Sequence, residues 1–158
     1  MGKKLFGKVL ICVLSIVLCF GFVGVRETHA AAKNKVINQS TGVEYATFSE
    51  AITALGTGSA GESTVLIVDG TVNETVGGDI DIDYEGQLSI LGVNDARIVA
   101  PPTEIVYKIN FNEKCNVEII KDIRFRPAPF NNSYHKSHYM IEVYGNVERI
   151  ENTYLCRS

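Results

Sequence analysis

The sequence predicts an all-β domain whose short strands stack as successive parallel rungs, preceded by a single α-helix. Three observations point there. Helical periodicity occurs in one stretch only, residues 47–55. After it, strand-like pieces recur at a spacing of 29 residues, from Ile80-Asp81-Ile82 to Ile109-Asn110-Phe111. Within each piece the outer positions are apolar and the middle one polar, the alternation of a strand buried on one face.

The first thirty residues stand apart. Lys3, Lys4 and Lys8 precede an apolar run from Val9 to Val25, and Thr28-His29-Ala30 supplies a small-x-small exit. Basic, apolar and Ala-terminated regions in that order make a secretory signal, removed after Ala30 or at Ala32. A retained membrane anchor is the competing reading, since the run could just span a bilayer. Bulky Leu18 before Cys19 argues against a lipoprotein site. Without this segment the chain keeps 11 basic and 17 acidic side chains, a formal charge of −6. That balance disfavours nucleic acid as a partner, because phosphate binding needs concentrated positive charge. The expected setting is secreted, with no stable membrane anchor after cleavage. Cys115 and Cys156 then remain, free to pair or not in an oxidising compartment.

Residues 31–43 are polar and read as a flexible lead-in to a domain spanning 44–158. Thr47 and Glu50 have capping-box spacing, and Phe48, Ala51, Ile52 and Leu55 share one face of a helix that Gly56 can terminate. Val65-Leu66-Ile67-Val68 follows as a strand, with Asp69-Gly70 as a turn signal. The repeat then runs from Ile80 through Leu88-Ser89-Ile90, from Ile109 through Val117-Glu118-Ile119, and from Ile141 through Val147-Glu148-Arg149-Ile150. Each copy ends in a further piece: Ala96-Arg97-Ile98, Ile123-Arg124-Phe125 and Thr153-Tyr154-Leu155. Asp95, Asp122 and Asn152 precede these last pieces, and are expected to form a corner ladder bonded to turn backbone. One copy cannot cover its own apolar side, so stacking is the solution a 20–50 residue period suggests. An antiparallel sandwich is the alternative.

Tyr45-Ala46-Thr47-Phe48-Ser49-Glu50-Ala51-Ile52, with Thr64 to Val72 and Leu88-Ser89-Ile90-Leu91-Gly92-Val93, resembles the opening of pectate-lyase-like right-handed parallel β-helix proteins. The resemblance covers about residues 43–155. It implies a right-handed single-stranded parallel β-helix of three to four rungs, with the helix as an N-terminal plug. It also implies an extracellular setting and contact with polysaccharide, with calcium used by several members. This chain departs from the family in being short.

Asp79, Asp81 and Asp83 project from one side of a strand and are the candidate calcium ligands, with Glu85 nearby. A solvated acidic face explains the same residues. Lys121 and Arg124, with Arg126, form a basic stretch from which a lyase could draw its proton acceptor. Ordinary surface charge competes with that role, since Lys121 falls one rung from Glu151. His135 and His138 lie in a polar insertion and have no third metal ligand, while Tyr134 and Tyr139 beside them are the candidate aromatic platforms for sugar rings. The function expected is that of a secreted β-helix protein contacting extracellular polysaccharide without complete catalytic machinery. A calcium-dependent polysaccharide lyase and a structural or adhesive N-terminal piece of a longer solenoid are the alternatives. An open final rung would favour self-association.

Overall fold

The computed structural model describes residues 31–102, 106–127 and 138–156. The leader, Tyr134 and His135 lie outside the described residues, and so does the side chain of His138. In chain order the elements are β1 (Lys35–Asn38), β2 (Glu44–Tyr45), α1 (Phe48–Leu55), β3 (Ser63–Asn73), β4 (Ile80–Ile82) and β5 (Gln87–Val99). They continue as β6 (Val106–Phe111), β7 (Asn116–Lys121), β8 (Arg124–Arg126), β9 (His138–Val143), β10 (Asn146–Glu151) and β11 (Tyr154–Leu155).

The helix forms where its capping chemistry stands. Thr47 Oγ1 accepts from the Glu50 amide at 3.1 Å, and the Glu50 carboxylate returns a bond to the Thr47 amide at 3.3 Å. Gly56, at φ 60°, ends the helix. Phe48, Ala51 and Ile52 are buried and Leu55 is partly so, as the stripe predicts. The helix packs against β1, β2, β3 and β4.

Strands fall into two sheets. One has three strands in the order β4-β6-β9; the other runs β10-β7-β5-β3-β1-β2, with β8 and β11 continuing from the second half of β5. The chain crosses from the smaller sheet to the larger and back, so the same sheet receives a new neighbouring strand each time. Seven pairings are parallel, and only those made by β1 are antiparallel. The antiparallel sandwich is thereby excluded. Ile80, Ile109 and Ile141 share one register, as do Ile82, Phe111 and Val143. A second column runs through Leu66, Ile90, Ile120 and Ile150, and a third through Ile98, Phe125 and Leu155. Apolar side chains from these columns make one core, each worth about 1.5–3 kcal/mol when fully buried.

Two local readings are corrected. The lead-in is not wholly flexible: Lys35–Asn38 pairs antiparallel with β3, and Val36 is fully buried. Nor do Asp69 and Gly70 end a strand. Gly70, at φ 75°, marks a register shift inside β3, and the pairing with β5 resumes at Thr71. On β5 the same corner holds extra residues, because Leu91 faces Lys121 while Arg97 faces Arg124. Gly92 sits where this longer corner presses on the next strand. A Cβ there would lie 2.1 Å from the Asp122 carbonyl oxygen, so no larger residue fits without moving backbone.

Candidate functional site

Outward positions decide what the molecule offers to a ligand. Asp79, Asp81 and Asp83 are all exposed on one side of β4 and its flanks, as alternation predicts. Successive members of such a row stand about 7 Å apart, too far to share an ion unaided. Among the described residues no three His, Cys, Asp or Glu side chains form a metal-binding group. Asp81, Asp83 and Glu85 instead have donors on β6 or just after it. Asn110 Nδ2 reaches Asp81 Oδ1 at 2.8 Å, Asn112 Nδ2 reaches Asp83 Oδ1 at 2.7 Å, and Lys114 Nζ reaches Glu85 Oε1 at 2.8 Å. Like charges stacked directly would repel, and alternating acid with amide turns each step into a hydrogen bond. On this geometry Asp81 and Asp83 fit a hydrogen-bonded solvated face, the alternative to the calcium reading of Asp79, Asp81 and Asp83.

The basic stretch is likewise engaged. Lys121 stands 3.4 Å from Glu151, its register partner, and Arg124 Nη1 stands 2.8 Å from Asp95 Oδ1. A proton acceptor needs a depressed pKa, and a carboxylate beside a cation favours its charged form instead. Lys121 and Arg124 are half exposed and paired, as ordinary surface charge, the alternative to their reading as catalytic bases, would have them.

Tyr139 does not present its face to solvent. Only 7% exposed, it packs edge-on against Tyr107 with ring centroids 5.3 Å apart, and tilted against Phe125 at 5.5 Å. Burial pushes its phenol well above the ordinary value, with Tyr107 and Glu74 adding to the shift. Alternation along Tyr139-Met140-Ile141 places it inward with Ile141, so the platform reading of Tyr139 is corrected.

One surface feature with mixed chemistry is a groove of about 620 Å³ at the corner between β5, β8 and β11. Its residues are there because the corner turns through left-handed backbone, which Asp and Asn tolerate better than other side chains. Asn94, Asp95, Asp122 and Asn152 have φ between 45° and 58°. The expected ladder forms only between Asp122 and Asn152, and it joins side chain to side chain rather than to backbone. Asn152 Nδ2 donates to Asp122 Oδ1 at 2.6 Å, and Asn94 Nδ2 donates to Asp69 Oδ1 at 2.7 Å. Asp95 instead takes Arg97 and Arg124. The Arg97 bond, working against partial burial and with Arg124 alongside, holds the Asp95 carboxyl below its usual range. It therefore stays an acceptor at neutral pH.

Tyr154 completes the groove. It stands in register with Arg124, which stands in register with Arg97, so all three form one outward column. Its side chain is half exposed, and its Oη donates to Asn152 Oδ1 at 2.9 Å. In the sequence Tyr154 takes the middle position of Thr153-Tyr154-Leu155, which Arg97 and Arg124 fill in the other copies. That position is itself the signal that the ring faces out.

The thiols are separate. Cys115 and Cys156 are both free, Cys115 buried and Cys156 partly exposed. Burial pushes the Cys115 thiol up to about 11 from 9.0, with the Asp83 charge adding and a backbone hydrogen bond from Tyr84 opposing. A protonated, buried thiol is a poor nucleophile. Alkylation of folded chain 31–158 at about pH 8 is expected to modify Cys156 alone, read by mass spectrometry, and both thiols once unfolded. Equal rates at the two sites would contradict this burial. Because the folded state keeps a proton that the unfolded chain sheds near 9.0, the Cys115 contribution is complete below that pH. It is lost as pH rises towards about 11.

No protein family, characterised protein or solved structure matches the chain. Among the described residues no helix is long and apolar enough to cross a membrane.

Proposed function

We propose that the chain is a short right-handed parallel β-helix, exported from the cell, that contacts extracellular polysaccharide through the corner groove without complete catalytic machinery. The architecture is supported by the parallel registers that return at each crossing between the sheets. Crossovers between parallel strands of one sheet are right-handed in about 98% of cases, which supports the hand. Export rests on the tripartite leader in residues 1–30.

The observation that carries the polysaccharide reading is Tyr154 on its column. A half-exposed aromatic face flanked by the Asp122–Asn152 pair and by Asp95 combines apolar stacking with acceptors and donors suited to sugar hydroxyls. The groove's cations already have carboxylate partners, so hydroxyl-rich neutral chains suit it better than uronates. The acidic formal charge of the processed chain favours the same class.

Retention of the chain by polysaccharides set in native gels tests this, with xylan, β-glucan and polygalacturonate as arms. A neutral polysaccharide is expected to retard the chain, and Tyr154→Ala to weaken the retardation roughly tenfold. Tyr154→Phe, which keeps the ring, is expected to retain most of it. Calcium and polygalacturonate are expected to yield no unsaturated product. Absence of retardation by every polysaccharide, or indifference to Tyr154→Ala, would overturn the groove assignment.

A further inference from the structure

Three Asn-x-Ser/Thr triplets occur in the chain: Asn38-Gln39-Ser40, Asn73-Glu74-Thr75 and Asn131-Asn132-Ser133. In an exported protein such a triplet is an acceptor for an N-linked sugar where its asparagine reaches the surface. The third triplet lies outside the described residues, and the fold treats the other two in opposite ways. Asn38 is 7% exposed. Its Oδ1 accepts from the Ser40 amide at 3.0 Å and from the Thr41 amide at 3.3 Å, closing the turn that leads from β1 to β2. Asn73 ends β3, where Val72 and Glu74 are buried while Asn73 and Thr75 are exposed. Neither the Asn73 nor the Thr75 side chain has a hydrogen-bond partner among the described residues.

We propose that Asn73 is an N-glycosylation site filled during export, and that the fold closes Asn38 to the same modification. The co-substrate class is a lipid-linked oligosaccharide pyrophosphate in the export membrane. The Asn73 carboxamide nitrogen attacks the anomeric carbon of the first sugar, so that a C–N bond forms as the C–O bond to the pyrophosphate breaks. The nitrogen gives up one proton to a base of the transferase, and the lipid pyrophosphate leaves. The order of events follows from Glu74, the middle residue of the triplet. In the folded chain its carboxylate is committed to the Phe48 and Ser49 amides and to Tyr107, so a transferase cannot draw the triplet out without releasing α1. Transfer therefore precedes docking of the helix, and the fold decides which product is compatible with the native state. A sugar on exposed Asn73 leaves the packing untouched. A sugar on Asn38 would pull out a buried carboxamide and strand the amides it caps. The proposal rests on the export reading and is independent of the corner groove.

Secretion of the full chain from yeast, whose export pathway carries that co-substrate, tests the proposal. A second arm places residues 31–158, which hold the entire described core, behind a leader of established function. Failure of the first arm alone to reach the medium then counts against the chain's own leader, and the second still reads the site. Secreted protein is treated with peptide-N-glycosidase in heavy-oxygen water, which converts a sugar-bearing asparagine to labelled aspartate, with an untreated sample as blank. Peptide mapping reads each triplet separately. Label is expected at Asn73 and not at Asn38. Asn73→Gln and Thr75→Ala are each expected to abolish the Asn73 label, and Thr75→Ser, which keeps the hydroxyl, to retain it. Both positions are exposed, so circular dichroism of the secreted variants is expected to be unchanged. Secreted chain without sugar at Asn73, an Asn73 label that survives Thr75→Ala, or a label at Asn38 would overturn the proposal.

Discussion

Replacing Glu74 by alanine is expected to lower the unfolding free energy by about 3 kcal/mol, the largest effect of any polar substitution in the chain. Glu74 is 3% exposed, and its carboxylate sits at the start of α1. There it accepts from the Phe48 amide at 2.7 Å, the Ser49 amide at 3.2 Å and Tyr107 Oη at 3.2 Å. The first amides of a helix have no partner within it, and the positive end of the helix dipole favours an anion. One side chain therefore ties the covering helix to both sheets, through β3 just before it and β6 across the core. Removing it takes the acceptor from one buried and one part-buried amide, and one bond from the Tyr107 hydroxyl. Glu74→Gln keeps an acceptor and loses the charge, so about half that cost is expected. Urea denaturation monitored by circular dichroism measures both. A loss below about 0.5 kcal/mol for Glu74→Ala would show that the helix is held by its apolar face alone.

The second large effect concerns the column of isoleucines. Ile109 lies between Ile80 and Ile141, with neighbours on both sides, and is buried. Ile109→Ala is expected to cost about 2–5 kcal/mol, since the cavity would open between two strands that cannot close it without losing register. Ile141 is only partly buried and has a neighbour on one side among the described residues. Ile141→Ala is expected to cost less than half as much. The contrast carries the meaning, because an ordinary two-layer core gives no reason for equivalent isoleucines to grade along the chain. Equal costs would remove the distinction between an inner and an outer level.

How much of this could be read beforehand varied with how local the cause was. The 29-residue repeat was legible because each strand carries its own alternation. Ile80, Asp81 and Ile82 indeed face Ile109, Asn110 and Phe111. The helix was legible for the same reason, its cap and stripe lying within nine residues. β1 was not, since four residues show no period and its partner lies thirty residues on, in β3. Glu74 gave no signal either: a lone glutamate becomes a cap only when the chain returns it to a helix 25 residues earlier. Tyr139 and Tyr154 were legible in principle. Treating Tyr139 as part of a polar loop hid the alternation that turns it inward, and the middle position of Tyr154 already faced it outward. The aspartate row was seen, but its meaning depended on asparagines one level away.

The account depends on parallel, in-register stacking of successive strands, and nuclear Overhauser contacts in a ¹⁵N-labelled sample test that most directly. Interstrand contacts between the amide and α protons of Ile80 and Ile109, and of Ile109 and Ile141, are expected in the parallel pattern, with Asp81 beside Asn110. Close α-proton pairs across these strands would mean antiparallel pairing. That result, or the absence of contacts between the three isoleucines, would contradict the stacked architecture and remove the basis for the groove.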